Sequence, residues 1–200
     1  MSDRTASQKR KTAETQIEMA IDLGGGSSSI DVPDGFFAHM LDALSRHGGF
    51  GLDVTARGDT HIGLHHTVED VGIVLGDCLR EALGSGAGIV RFATAYAPLD
   101  EALARAVVDV SGRGFLACGL PEELATSWVT TSFPMTLVED FFGALADRGR
   151  ITLHIDVLTG RNPHHVAEAT FKAVAVALRQ AMAIRPGVAD VPSTKGTLTE

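Results

Sequence analysis

The sequence has few cysteines, and the two it contains form no metal or redox motif. Neither Cys78 nor Cys118 has another cysteine two or three residues away, which excludes a Cys-x-x-Cys site. We predict two buried thiols in a reducing cytoplasm rather than a disulfide.

Long apolar runs and an excess of positive charge are also missing. No apolar stretch approaches the roughly 18 residues that cross a membrane, and the polar residues 1–11 lack the apolar segment of a secretory signal. The formal net charge is −8, so the chain has no general attraction for nucleic acid or anionic membranes. We therefore predict a cytoplasmic protein that binds neither, in which any anionic substrate needs a local cluster of basic side chains.

Aromatic residues are scarce at 6%, whereas 44% of the 200 residues are hydrophobic and 22 are glycine. This composition predicts a globular chain with many tight turns and a core of alanine, valine, leucine and isoleucine.

Two stretches of the chain resemble each other. Residues 65–82 and 164–181 have the sequences HHTVEDVGIVLGDCLREA and HHVAEATFKAVAVALRQA. Each follows a predicted helix and an alternating strand, at 36–47 and 50–57 in the first case and at 138–148 and 151–158 in the second. The same order of elements thus occurs twice, which indicates an internal duplication.

We predict an internally duplicated α+β fold, in which each half has a small mixed sheet and two helices, and the helices pack between the two sheets. Further strands are predicted at 16–23, 30–32, 91–100, 104–111 and 114–120, the last three as a meander. The chain then divides into a disordered tail at 1–11, a first α/β repeat at 12–86, a second α/β repeat at 87–185 and a C-terminal tail at 186–200.

The repeated pattern His-His-x-x-Glu places metal-ligating side chains at the start of two predicted helices. Residues three or four apart share a helix face, so Glu69 lies near both His65 and His66. The adjacent histidines point roughly 100° apart, so each is better placed to serve a different ion. The second copy, at 164–168, has the same spacing.

The duplication adds one more pair of candidate ligands, because aligning the upstream helices places His39 opposite Asp140. Shared between two ions, the candidate set gives each ion about four ligands and leaves positions open for water or substrate. The set is His39, His65, His66, Glu69, Asp140, His164, His165 and Glu168.

Imidazole and carboxylate ligands without a thiolate suit Mn²⁺, with Zn²⁺ and Fe²⁺ as alternatives. The competing interpretation is a polar cluster at a helix start that binds no metal, which a single short motif would not exclude. Two copies in matching contexts argue against it.

These motifs, together with others in the same order along the chain, resemble the imidazoleglycerol-phosphate dehydratase family. The stretches that carry the resemblance are Thr12-Ala13-Glu14-Thr15, Phe36-Phe37-Ala38-His39-Met40-Leu41, His65-His66-Thr67-Val68-Glu69-Asp70, Ile89-Val90-Arg91-Phe92, Ser111-Gly112-Arg113, His164-His165-Val166-Ala167-Glu168-Ala169 and Pro192-Ser193-Thr194-Lys195-Gly196.

The resemblance implies a metal-dependent hydro-lyase of histidine biosynthesis that converts imidazole glycerol phosphate to imidazole acetol phosphate and water. It also implies two Mn²⁺ ions in each active site. The partners it implies are further copies of the chain, which form trimers and then a large cubic assembly with active sites between subunits.

The resemblance further assigns site residues. It implies that Glu14 and Glu168 are candidates for the acid and the base, in roles that it leaves open. It implies that residues 186–200 order over the substrate and complete the active site. Substrate contacts are implied at Glu14, His39, His47, Arg91, Arg113, Lys172, Ser193, Thr194 and Lys195.

The chain departs from the family pattern at three positions. The family usually has histidine where this chain has Asp140, and acidic residues at or near the positions of Ala38 and Gly63. These departures motivate an alternative prediction, a catalytically impaired metal-binding homologue that acts as an assembling scaffold. A different metal-assisted hydrolase is a third interpretation, since paired metals also serve phosphate chemistry.

Overall fold

The structure, a computed structural model, describes residues 4–198. The first half of the chain forms one four-stranded mixed sheet with two helices. Its elements β1, β2, β3, α1, β4 and α2 span Thr5–Lys11, Thr15–Asp22, Ser29–Asp31, Gly35–Gly48, Gly51–Gly58 and His65–Leu83. The strand order is β1-β2-β4-β3, with β3 parallel to β4 and the other pairs antiparallel.

The second half repeats this arrangement. Its elements β5, β6, β7, α3, α4, β8 and α5 span Phe92–Leu99, Ala102–Asp109, Phe115–Gly119, Glu122–Ala125, Thr136–Gly149, Thr152–Thr159 and Pro163–Ala181. The order β5-β6-β8-β7, with one parallel pair at the same edge, matches the first sheet strand for strand. The predicted duplicated α+β fold is therefore confirmed.

The four long helices form a layer between the two sheets. Helix α2 packs on β1 and β2, α5 packs on β5 and β6, and the layer closes through α2 against α4 and α1 against α5. Among residues 4–198, no helix is both long and apolar enough to cross a bilayer.

The centre of this layer is more aromatic than the composition indicated. The ring of Phe171 on α5 lies 5.2 Å from that of Phe141 and 4.6 Å from that of Phe142, centroid to centroid. Phe37 on α1 joins them from the other side, 5.6 Å from Phe141. These four phenylalanines thus gather where three helices meet, and together they bury a large apolar area.

The predicted disordered tail at 1–11 is wrong from Thr5 onward, because β1 pairs along its whole length with β2. The strand is also tied to the helix layer, since Arg10 Nε lies 2.9 Å from Asp70 Oδ1 on α2. Only Ala6 of β1 is buried, as suits an edge strand, so the segment carries no apolar alternation. Residues 1–3 of the predicted tail lie outside the described residues.

The predicted meander in the second half is also wrong in its last strand. Strand β7 pairs with β8, in parallel, and not with β6. A parallel pair needs a crossover connection, which α4 provides between the two strands. The short helix α3 had no counterpart in the prediction.

The C-terminal tail at 186–198 contains no helix or strand, as expected, but its backbone is bonded to the rest of the fold. The carbonyl oxygen of Asp190 accepts a hydrogen bond from Gly88 N at 2.9 Å. Residues 199 and 200 lie outside the part of the chain that the structure describes.

Helices α2 and α4 approach so closely that only glycine fits at their crossing. A Cβ atom added to Gly76 would lie 2.7 Å from Gly149 N and 2.8 Å from Leu145 O, both backbone atoms of α4. Backbone atoms cannot swing aside as a flexible side chain can, so a methyl group here must push the helices apart.

We expect Gly76→Ala to lower the free energy of unfolding by about 1–3 kcal/mol, as overpacking typically does. The matched control is Gly143→Ala on α4, where the added Cβ would meet only Leu116 Cδ2, at an ordinary 3.7 Å. Alanine there should keep or raise stability, by up to about 1 kcal/mol from helix propensity. Urea unfolding followed by circular dichroism, at one protein concentration, compares the two; equal midpoints would contradict the close crossing.

Candidate metal centre

The tightest group of candidate ligands joins α1 to the first turns of α5. His39 Nε2 and His164 Nε2 lie 3.2 Å and 3.3 Å from the same carboxylate oxygen, Glu168 Oε2. The potential ligand atoms of the three residues all lie within 4.8 Å of one another. The start of α5 is well defined, because Asn162 caps it by accepting a hydrogen bond from His164 N at 3.0 Å.

The second oxygen of Glu168 is engaged by a lysine. Lys172 Nζ lies 2.5 Å from Glu168 Oε1, one helical turn further along α5. Burial alone would raise the pKa of Glu168, but hydrogen bonds from Lys172 and His39 outweigh it, so the pKa lies below its ordinary value. The carboxylate is therefore charged at neutral pH and available to a cation.

The duplicate of this group joins α4 to the first turns of α2 and is more open. His65 Nδ1 lies 3.0 Å from Asp140 Oδ2, and His65 Nε2 lies 3.8 Å from Glu69 Oε2. The side chains of His65 and Glu69 are 56% and 46% exposed. Asp140 thus occupies the place that its alignment with His39 predicted.

The remaining two histidines turn away from these groups, as helix geometry predicted. His66 Nδ1 lies 3.1 Å from Asp59 Oδ2 and 3.7 Å from Glu14 Oε2. His165 Nδ1 lies 2.7 Å from Glu101 Oε2. A single chain, over residues 4–198, therefore brings predicted ligands within 4.8 Å of one another in one group, His39, His164 and Glu168, rather than grouping them four and four. A second group with that spacing contains one predicted ligand, His66, together with Glu14 and Asp59.

Two of these partners, Asp59 and Glu101, were not among the predicted site residues. Glu101 lies immediately before β6, just as Glu14 lies immediately before β2, so the duplication itself held a signal for it. Hydrogen bonding to His165 is the main reason why the pKa of Glu101 is lowered to about 2. The hydrogen bond with Asp59 raises the pKa of His66 above its ordinary value.

The donor set fits a divalent cation. The groups offer imidazole nitrogens and carboxylate oxygens at partly exposed positions, a combination that suits Mn²⁺, Zn²⁺ and Fe²⁺. The thiols do not compete, because burial raises the pKa of both Cys78 and Cys118 to about 12 and keeps them protonated.

The predicted substrate-contact residues separate into two sets. Lys172 lies with the metal ligands, and so does His47, whose pKa is lowered by burial and by the nearby charge of Lys172. Arg91 instead lies at the far end of α5, where its backbone N donates to Ala181 O at 2.7 Å. Its guanidinium Nε and Nη1 contact Asp109 Oδ1 and Pro192 O, each at 2.8 Å.

The other basic and hydroxyl residues of the prediction lie towards that same far end. Arg113 lines a cavity of about 380 Å³ with Arg80 and Arg150, beside the last residues of α2 and α4. The segment from Ser193 to Lys195 follows Pro192, which Arg91 holds, and Lys195 N donates to Ser193 Oγ at 3.2 Å.

The two sets cannot meet within one chain. Helix α5 has 19 residues and is therefore about 28 Å long, with His164 in its first turn and Arg91 bonded to its last residue. We call these two regions the metal end (His39, Glu168 and their neighbours) and the basic end (Arg91, Arg113 and the segment 193–195).

Comparison with known proteins gives a consistent result. The family model for imidazoleglycerol-phosphate dehydratase matches residues 33–178. A protein of that name from Akkermansia muciniphila is 50% identical over 197 residues, covering 98% of this chain and all of the relative. One from Acidiphilium cryptum is 52% identical over 197 residues, covering 98% and 99%.

Two solved structures of proteins with that name are also similar to this chain. The crystal structure of imidazoleglycerol-phosphate dehydratase from Staphylococcus aureus matches with a TM-score of 0.81 and 37% identity, covering 90% of this chain and 99% of that one. The enzyme from Pyrococcus furiosus matches with a TM-score of 0.80 and 35% identity, covering 94% and 99%.

We expect His164→Ala to weaken Mn²⁺ binding by more than the roughly 10–100-fold that loss of a supporting residue costs, because it removes a ligand nitrogen. His154→Ala is the matched control, since His154 lies exposed on β8, in contact with Phe115. Titration of metal-free protein with Mn²⁺, followed by electron paramagnetic resonance of the free ion, measures both. Equal affinities would show that His164 is no ligand.

Proposed function

The chain belongs to the imidazoleglycerol-phosphate dehydratase family, and from this we infer that it converts imidazole glycerol phosphate to imidazole acetol phosphate and water in histidine biosynthesis. The observation that carries this conclusion is the identity of about half of all residues over essentially the full length of named relatives. Two groups of histidine and carboxylate side chains, one around Glu168 and one around His66, agree with a metal-dependent lyase.

We propose that two Mn²⁺ ions serve each active site, held by the eight residues that the sequence analysis identified. When bound, such ions act as Lewis acids and lower the pKa of groups they coordinate. His39, His164 and Glu168 would hold one ion from one chain, and His65, Glu69 and Asp140 would hold the other. His66 and His165 lie within hydrogen-bond distance of a carboxylate through Nδ1, and their Nε2 atoms would supply the missing ligands.

The surroundings of the two catalytic candidates differ. Glu168 has one oxygen on Lys172 and the other on two histidines, so its role is to bind and orient. Glu14 is 55% exposed and stands 3.7 Å from His66, so its carboxylate remains accessible to a substrate. We propose that Glu14 moves the proton during the reaction and that Glu168 holds the metal.

We further propose that the active site lies between subunits of a trimer-based, large cubic assembly. The length of α5 supports this, because it separates the metal end of a chain from its basic end by about 28 Å. The basic end of one subunit, with Arg91, Arg113, Ser193, Thr194 and Lys195, would then bind the substrate phosphate at the metal end of another. Charge-assisted hydrogen bonds from these side chains give an acidic protein a local site for an anion.

Growth of a complemented bacterial strain distinguishes an active enzyme from a catalytically impaired scaffold. We expect the chain to restore growth, without added histidine, to a bacterium that lacks this dehydratase, because Asp140, where the family pattern usually has histidine, still brings a carboxylate oxygen to within 3.0 Å of His65. Activity of the purified protein should disappear on rigorous chelation and return with Mn²⁺. Normal assembly without rescue would favour the scaffold, and activity that survives chelation would refute the metal mechanism.

Mixing of variants tests the position of the site. His164→Ala damages the metal end and Arg113→Ala the basic end, so each protein alone should be nearly inactive. In a co-expressed, equal mixture, ends combine at random, and roughly one site in four receives two intact ends if each site spans two subunits. Activity should therefore recover to about a quarter of the unmodified level.

The matched control mixes His164→Ala with Glu168→Gln, two changes at the same end, which cannot complement each other in this way. If the first mixture stays as inactive as its components, the active site does not combine the two ends from different subunits.

A further inference from the structure

His66 and His165, which we call the outward histidines because they turn away from their neighbours His65 and His164, share a kind of partner that the sequence motifs did not mark. His66 and His165 both present Nδ1 to a carboxylate that no sequence motif marked, Asp59 in one half and Glu101 in the other. A carboxylate only accepts hydrogen bonds, so Nδ1 must carry the proton, and a neutral imidazole then has a bare Nε2. Each outward histidine is thereby prepared to bind a cation through Nε2.

The two halves of the fold place a carboxylate on this Nδ1 atom with residues at different positions. Glu14 and Glu101 hold equivalent positions, since each directly precedes the second strand of its sheet. Glu101 bonds His165 Nδ1 at 2.7 Å, whereas Glu14 stands 3.7 Å from His66 Nδ1, and Asp59 takes that place at 3.1 Å. In the first half, Asp59 therefore does for His66 what the equivalent of Glu14 does for His165.

We propose that Glu101 and Asp59 are positioning residues, which hold His165 and His66 in the Nδ1–H tautomer with Nε2 open to the metal, and that Asp59 thereby leaves Glu14 available for the substrate. This inference rests on the proposed metal function. Glu101 and Asp59 act here through the histidines that they contact, which are the proposed metal ligands.

The carboxylate of Glu101 is fixed from two sides. Its Oε1 accepts hydrogen bonds from Asn162 N at 2.9 Å and Arg161 N at 3.3 Å, in the loop that leads into α5. Its Oε2 faces His165 Nδ1. The two oxygens thus have separate tasks, one on the backbone and one on the imidazole.

This division makes Glu101→Gln a specific probe. The backbone donors need an acceptor, so the amide oxygen stays on them and the amide NH₂ turns towards His165. An NH₂ group donates, which forces Nδ1 to accept and moves the ring proton to Nε2, the atom needed for the metal. The fold keeps its loop contacts while the tautomer inverts.

Asp59→Asn should act more mildly. Both oxygens of Asp59 face His66 Nδ1, at 3.1 Å and 3.4 Å, so an asparagine can offer its carbonyl oxygen and preserve the tautomer. The matched control is Asp100→Asn. It removes the charge next to Glu101, but its oxygen lies 4.0 Å from His165 Nε2 and its side chain is 77% exposed.

The experiment is ¹⁵N solid-state NMR of metal-free protein labelled in histidine, at about pH 8.5, where unperturbed imidazole is neutral. The His165 signals are assigned by their loss in His165→Asn. We expect Nδ1–H in the unmodified protein and in Asp100→Asn, and Nε2–H in Glu101→Gln. Mn²⁺ affinity should fall about 10–100-fold in Glu101→Gln and stay within about twofold in Asp100→Asn.

Two results would overturn the proposal: an unmodified protein with Nε2–H on His165, or Glu101→Gln with an unchanged tautomer and unchanged Mn²⁺ affinity. The NMR measurement needs no metal. If the unmodified protein bound no Mn²⁺, the proposed function would fail, while the tautomers would still decide whether Glu101 positions His165.

Discussion

A helix turns by about 100° from one residue to the next, so two adjacent histidines at a helix start cannot face one ion. In α2 and α5 this rotation turns His65 and His164 towards a neighbouring helix, α4 or α1, and turns His66 and His165 towards the loop residues Asp59 and Glu101. His164 on α5 meets His39 on α1, and His65 on α2 meets Asp140 on α4. The carboxylates of Asp59 and Glu101 then contact the second histidine of each pair.

The duplicated fold repeats this arrangement of histidines at the start of two long helices. Because both halves place a His-His pair at the start of a 19-residue helix, the proposed ligands collect at helix starts, whereas Arg91 and Arg113 lie near helix ends. The close crossing of α2 and α4, with Gly76 against Gly149, and the phenylalanines around Phe171 hold these helices rigidly. The proposed metal ligands of α5 and the proposed phosphate-binding residue Arg91 lie at opposite ends of that helix, which is about 28 Å long.

The sequence predicted the four long helices, the duplication and the divergence of the histidines, because each depends on local periodicity or spacing. It missed β1, whose only buried residue is Ala6, although the equivalence with β5 required a strand there. The pairing of β7 with β8 was mistaken because a strand's own pattern does not identify its neighbour. Asp59 and Glu101 lie outside the strands and helices, where single carboxylates are ordinary. The equivalence with Glu14 was a signal for Glu101, whereas the contact of Asp59 with His66 emerges only from the three-dimensional fold.

The ammonium group of Lys172 contacts one oxygen of the Glu168 carboxylate. Two histidines, His39 and His164, contact the other oxygen. A buried negative charge without a partner would oppose folding. Here a side chain of the same helix supplies the compensating charge, so the chain can complete its core before any cation arrives. A cation of the kind proposed for this site would then meet a carboxylate that the fold has already placed.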